Sequence, residues 1–229
     1  MILSVVSEVK DPPNPMPADQ AKAFRRRLLA WYRKHRRDLP WRPRKNEQPV
    51  PYHTLVSEAM LQQTQVATVV PYFHQFIAAF PTVQDLADAD EQQVLTLWQG
   101  LGYYRRARNL HAAAKAIVAE HGGEVPSCVT LLRQLPGVGR YTAGAVLSIA
   151  LNQRHPILEA NTIRLLSRLL AFTGNPRARE GQAILWSFAE SLLPRRRIGD
   201  FNQSLMELGS IVCSPRAPEC TRCPLATLC

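Results

Sequence analysis

The sequence contains no apolar run approaching the length of a membrane span, which argues against a membrane-crossing helix. It has no stretch of alternating apolar and polar residues of the kind that marks half-buried strands, and no internal repeat. Cysteine is missing before Cys128, so the chain lacks the evenly spread thiols of a secreted, disulfide-stapled protein. The opening Met1-Ile-Leu-Ser-Val-Val6 is too short for a signal-peptide core and runs at once into acidic and Pro-rich sequence. Together these absences predict a soluble, intracellular protein of the cytoplasm and nucleoid. Acid is in short supply as well: 18 Asp and Glu stand against 28 Lys and Arg among 229 residues, a net charge of +10. A surplus of that size points to a polyanionic partner, nucleic acid ahead of membrane.

What is present centres on Leu135 to Asn161. Pro136, Gly137 and Gly139 make a tight turn, and a helix begins directly after it at Arg140-Tyr141. The segment from Val129 to Gln134 has helical character, so the unit is helix–hairpin–helix. Such a turn exposes backbone N–H groups beside the positive end of a helix dipole, which is a seat for phosphate. An ordinary turn between packed helices is the competing reading for the two glycines alone.

Helical periodicity covers most of the rest. Phe24, Leu28, Trp31 and Tyr32 recur at helical spacing within 18–37, surrounded by arginines. A second helix from Thr54 to Gln65 carries Glu58 as its only acid, among residues that would bury it. Further helices are predicted over 66–80, 91–99, 104–120, 162–172, 180–193 and 201–212, about ten in all. Residues 1–17, with Pro12, Pro13, Pro15 and Pro17, read as a flexible arm.

Four of the five cysteines fall at the end, as Cys213-x6-Cys220-x2-Cys223-x5-Cys229. Thiols this dense imply a metal centre. Zinc favours two Cys-x2-Cys knuckles and only one is present, so a [4Fe–4S] cluster stands ahead of zinc. Cys128, isolated, reads as a small core residue.

These cysteines, together with Leu135-Pro-Gly-Val-Gly139, closely resemble the iron–sulfur helix–hairpin–helix DNA glycosylases of the endonuclease III superfamily, and within it the MutY-type adenine glycosylases. The resemblance runs from about Ala18 to Cys229. Its further marks are Leu39-Pro-Trp41, Ser57-Glu-Ala-Met-Leu-Gln-Gln-Thr-Gln65, Gly100-Leu-Gly-Tyr-Tyr-Arg-Arg-Ala-Arg-Asn-Leu110, Phe201-Asn-Gln203 and Met206-Glu-Leu-Gly209. It implies an all-α fold of two subdomains with the active site between them. One is a six-helix barrel over 49–150 with the hairpin, and the other an iron–sulfur subdomain built from 18–48 and 151–229.

The resemblance also implies monofunctional excision of adenine from duplex DNA where it faces 8-oxoguanine or guanine, by a monomer with no membrane partner. Breaking an N-glycosidic bond needs a proton for the leaving base and a charge to face the oxocarbenium-like sugar. Glu58 matches the catalytic acid and Glu159, beside Asn161, the second carboxylate, where the family has Asp in an Asp-Gly-Asn context. Tyr141 stands where lyase members carry a Schiff-base lysine. Gln63 and Tyr103 match residues that push into the base stack, and Arg42 and Glu207 match the adenine pocket; the turn at Gly137 and Gly139, with Arg140, is expected to contact strand phosphate. The family's adenine glycosylases continue into a further domain that reads 8-oxoguanine. A chain ending on Cys229 is therefore either a catalytic domain or a short relative. A thymine or uracil mismatch glycosylase, and a catalytically weak damage-binding protein, are the alternatives.

Overall fold

The structure, a computed structural model, describes residues 16–43 and 47–229; the predicted arm over 1–17 falls almost wholly outside these. Among the described residues there are eleven α-helices and no strand, so the predicted all-α class holds. In chain order they are α1 Ala18–His35, α2 Pro51–Leu61, α3 Val66–Ala79, α4 Val83–Asp88, α5 Glu91–Leu97 and α6 Arg105–His121. There follow α7 Val129–Gln134, α8 Arg140–Ala145, α9 Ala160–Leu169, α10 Arg179–Leu192 and α11 Ile198–Ile211. No helix among them is long and apolar enough to cross a membrane.

The helices pack around two separate apolar cores. The first is filled by α2 through α8, with Phe76, Leu86, Trp98, Ile117 and Leu132 shut away from solvent. The second takes Phe24, Leu28, Trp31 and Tyr32 from α1 and joins them to residues from Leu158 to Leu225. Each large side chain fully buried in this way contributes roughly 1.5–3 kcal/mol. The spacing of α1's apolar residues thus binds an N-terminal helix to the far end of the chain, where α1 lies along α11. Arg33 and Lys34 place positive charge in the last turn of α1, at the negative end of its dipole.

Three features depart from the sequence reading. The short helix α4 has no counterpart among the predicted helices. It is nucleated by a capping box in which Thr82 and Asp85 exchange hydrogen bonds, a signal confined to two side chains and easily passed over. Helix α2 ends at Leu61 rather than Gln65 because Gln63 takes a left-handed conformation, with φ of 60°. The apolar run after α8 widens into a π turn, Val146–Ala150. There Gly199 of α11 comes so close that an added Cβ would lie 2.7 Å from the Ser148 carbonyl oxygen. The π turn packs on both α2 and α11, and so joins the two cores.

Cys128 corrects a further expectation. It is exposed, not a core residue. It precedes α7, and hydrogen bonds from the Leu131 and Thr130 backbone hold its thiol below the ordinary value. Position at a helix entrance, which burial-based reasoning ignores, decided its exposure.

Candidate active site

Between the two cores lies a cleft of about 400 Å³. Helix α2 supplies one wall, with Thr54, Ser57 and Glu58, and α8 adds Tyr141. The opposite wall comes from Glu159, Asn161, Met206 and Glu207, and Arg42 closes the cleft from the loop after α1. Gln63 stands at its edge. Glu58, Glu159, Tyr141, Asn161, Arg42, Gln63 and Glu207 are thus brought together from elements distant in sequence. Tyr103, Gly137, Gly139 and Arg140 lie outside the cleft.

Glu58 is 5% exposed, and its Oε2 accepts a 2.6 Å hydrogen bond from Tyr141 Oη. Burial pushes its carboxyl from 4.5 up to about 7, against the hydrogen bond from Tyr141, and the charge of Glu159 adds to the rise. Desolvation outweighs the single neutral donor, so the acid form persists near neutral pH. Tyr141 is itself pushed well above 10, first by burial and then by the charges of Glu58 and Glu159, so it stays a phenol and donates. Among the described residues no lysine lines the cleft.

Glu159 is held differently. It is the N-cap of α9, its Oε1 accepting from the Thr162 backbone N–H at 2.9 Å and its Oε2 from that of Asn161 at 2.8 Å. The Asn161 side chain adds a third bond at 3.2 Å, and Thr162 Oγ1 in turn accepts from the Glu159 N–H, completing a capping box. Burial raises its pKa and these donors, with Arg164, oppose the rise. Arg164 also donates to Asn161 Oδ1 at 2.9 Å and to the carbonyls of Gly209 and Cys213, tying the cap to α11 and the cysteine loop.

Glu207 lies at 1% exposure beneath two arginines. Arg37 donates to it from its backbone N–H, Nε and Nη2 at 2.9, 2.8 and 3.1 Å, and Arg42 from Nη2 at 2.8 Å. Burial raises its pKa, but the bonds from Arg37 and Arg42 and the Arg42 charge outweigh that, and the net shift is downward. Arg37 is the residue sequence reasoning missed. In the sequence it is one more cation in the run at the end of α1, and only the chain's return at Glu207 distinguishes it.

The hairpin lies on an exposed face. Gly137 has φ of +77°, and a Cβ there would sit 2.8 Å from Asn109 Cβ of α6, so glycine is required twice over. Gly139 is not left-handed: it is the extended N-cap of α8, with nothing near its missing Cβ and no side chain capping the helix. Arg140 lays its guanidinium 3.9 Å from the centroid of Trp186 on α10, a cation–π contact across the two cores. Tyr103 is 61% exposed, with φ of 49°.

The four terminal thiols share one neighbourhood. Burial first, and then Cys213, Cys229 and Cys220, raise the Cys223 thiol, while burial, Cys213 and Cys220 raise that of Cys229. Arg168 donates Nη1 to Cys213 Sγ at 3.1 Å and to the Ser214 carbonyl at 2.9 Å. Among the described residues no three His, Cys, Asp or Glu side chains close up as one bound ion would require. Four thiols that influence one another electrostatically form an all-sulfur donor set, the chemistry of a thiolate-ligated metal centre.

Residues 56–191 match the family described as HhH-GPD superfamily base excision DNA repair protein. Among curated proteins, the chain is 49% identical over 212 residues to the adenine DNA glycosylase of Rattus norvegicus, covering 90% of this chain and 41% of that one. It is 46% identical over 215 residues to the adenine DNA glycosylase of Homo sapiens, covering 92% and 39%. The chain thus spans about two fifths of the length of these relatives. Among solved structures, a thermostable thymine-DNA glycosylase superposes with a TM-score of 0.80 at 29% identity, covering 92% of this chain and 95% of its own.

Proposed function

Since the chain belongs to the HhH-GPD superfamily of base excision DNA repair proteins, we propose that it hydrolyses the N-glycosidic bond of adenine mispaired with 8-oxoguanine or guanine in duplex DNA. The observation that carries this reading is Glu58, buried, held near a pKa of about 7 and hydrogen-bonded to Tyr141 inside a cleft it shares with Glu159. The identities to adenine glycosylases support the choice of base.

Base release needs a proton on the leaving base, at N7 of adenine, and Glu58 in its acid form supplies it. As the bond lengthens, the sugar gains positive charge, and the Glu159 carboxylate opposite is placed to stabilise it. Glu58, now ionised, takes a proton from the attacking water, and Tyr141 donates to whichever oxygen carries the charge. A phenol forms no imine with the abasic sugar, so the enzyme is monofunctional. Glu207, with Arg42 and Arg37, lines the base pocket, the buried carboxylate fixing the two arginines beside the place the base would occupy.

Gln63 and Tyr103 fill the gap left when the base is flipped out. The hairpin at Gly137 and Gly139 and the exposed Arg140 contact the strand. We assign the two cores to the subdomains predicted as 49–150 and as 18–48 with 151–229. Cys213, Cys220, Cys223 and Cys229 would hold a [4Fe–4S] cluster, which when bound fastens the tail of the chain rather than reacting with DNA. Brown protein with stoichiometric iron and sulfide is expected; colourless folded protein with stoichiometric zinc would overturn that assignment.

Duplexes carrying single mismatches, treated with alkali after incubation, test the function. Freed adenine is the expected product. Thymine or uracil release would favour the second reading, to which the likeness to a thymine-DNA glycosylase lends weight. Nicking without alkali would reveal a lyase, and binding without product a damage-binding protein.

A further inference from the structure

Gln63 and Tyr103 belong to loops from different parts of the chain, yet they share an uncommon feature. Both are exposed, and both hold left-handed backbone, at φ of 60° and 49°. A residue other than glycine stays in that region only when its surroundings determine it. One side chain, Arg106 of α6, reaches the backbone beside both of them.

Arg106 is 9% exposed. Its Nη1 donates to the carbonyls of Ala59 at 3.2 Å, Met60 at 2.7 Å and Gln62, all at the C-terminal end of α2, where carbonyls have no partner within the helix. Its Nη2 donates to Thr64 Oγ1, the Leu101 carbonyl and the Gly102 carbonyl, each at 3.1 Å. Gln63 is therefore gripped from the residue before it and the residue after it, and Tyr103 from the residues before it. The guanidinium also lies 5.4 Å from the Tyr103 ring centroid and 5.5 Å from that of Trp98, whose Nε1 donates to Gly102 O at 3.2 Å. Tyr72 Oη seals the same loop on the Gln99 carbonyl at 3.0 Å. Three residues further along α6, Asn109 presses on Gly137 of the hairpin.

We propose that Arg106 is a positioning residue that sets both strand-inserting tips as one unit, so that Gln63 and Tyr103 enter the duplex together. The proposal rests on the reading of the chain as a base-flipping glycosylase. A flat fork of donors is what the geometry needs, because carbonyls on two loops are bound from opposite ends of one rigid plane. An ammonium offers three donors from a single point and cannot span them. Replacement by Lys should leave the tips present but unregistered.

The test uses a duplex with 2-aminopurine next to adenine opposite 8-oxoguanine, whose fluorescence rises when the stack opens. Arg106→Lys and Arg106→Gln, checked for folding by thermal denaturation, should lose most of that rise. Single-turnover excision should fall by about tenfold or more, as expected for misplaced groups. Affinity, which phosphate contacts dominate, should stay within about threefold. A full fluorescence rise in folded variants overturns the proposal, whatever happens to excision. Fluorescence needs no bond cleavage, so the two readings separate. If the unsubstituted chain opens the stack without releasing adenine, and Arg106→Lys does not open it, the proposal stands and the adenine reading fails. If the unsubstituted chain opens no stack, the proposal fails. Should the Arg106 variants not fold, Thr64→Val, which removes one bond on the Gln63 side, decides: a reduced rise supports the clamp and an unchanged rise overturns it.

Discussion

Glu58 and Glu207 face the same cleft at 5% and 1% exposure, yet their carboxyls shift in opposite directions. Glu58 has one neutral donor, the Tyr141 hydroxyl, and burial prevails. Glu207 receives four hydrogen bonds from two arginines, and they prevail over burial. Equal burial therefore yields a proton donor on one wall and a fixed anion on the other. The number and charge of donors, not solvent exclusion, separate the two roles.

The most severe way to break this contrast is Glu58→Gln, which keeps size and neutrality but has no proton to give. Single-turnover adenine release should fall by about 10²–10⁴-fold, the usual range for losing a general acid. DNA affinity measured on the same duplex should hardly change. On the other wall, Glu207→Gln leaves Arg42, whose side chain is only 8% exposed, facing an amide. Breaking a buried pair in that way should cost about 3 kcal/mol of stability, measured by denaturant titration.

Opposite shifts also require opposite pH dependences. The raised Glu58 carboxyl contributes stability that is whole below 4.5 and is lost as pH rises through about 7. The lowered Glu207 carboxyl contributes stability that is present above its unfolded value and is lost as pH falls through its folded one. Denaturation curves of Glu58→Gln should lack the first slope and those of Glu207→Gln the second; one shared slope would mean that the contrast is wrong.

Glu159 shifts in the same direction as Glu58: burial raises its carboxyl, and the backbone N–H donors of its cap only partly oppose the rise. Asp caps a helix at least as well as Glu and is shorter by about 1.5 Å. Misplacement of about 1 Å can cost on the order of 100-fold in rate. Glu159→Asp should therefore quicken excision at unchanged affinity, and Glu159→Gln should slow it. Equal rates for all three would remove Glu159 from the chemistry.

The smallest effect belongs to Tyr141→Phe. It deletes the hydrogen bond that lowers the Glu58 carboxyl, so the alkaline limb of the excision profile should move to higher pH. A limb that moves down, or does not move, would show that Tyr141 does not bias that proton.

Much of the fold could be read from local pattern. The apolar spacing of α1, the turn at Gly137 and the crowding of cysteines at the end each lie within a short window, and each appears as a helix, a hairpin and a thiol cluster. Where the reading failed, the deciding contact was not periodic: the Thr82–Asp85 box behind α4, the left-handed turn at Gln63, the helix entrance at Cys128. In the cleft, residue types were legible but pairings were not. Arg37 reaches Glu207 across 170 positions, and Arg106 reaches Met60 across 46.

The sequence by itself determined the all-α class, the family and the residues available for chemistry, because helical periodicity and motif spacing are properties of neighbours along the chain. Only the tertiary structure decided which acid keeps its proton, which arginine is spent on Glu207 and which side chain holds the left-handed tips. Those outcomes depend on donors and desolvation supplied by segments far apart in sequence, and no local pattern records them.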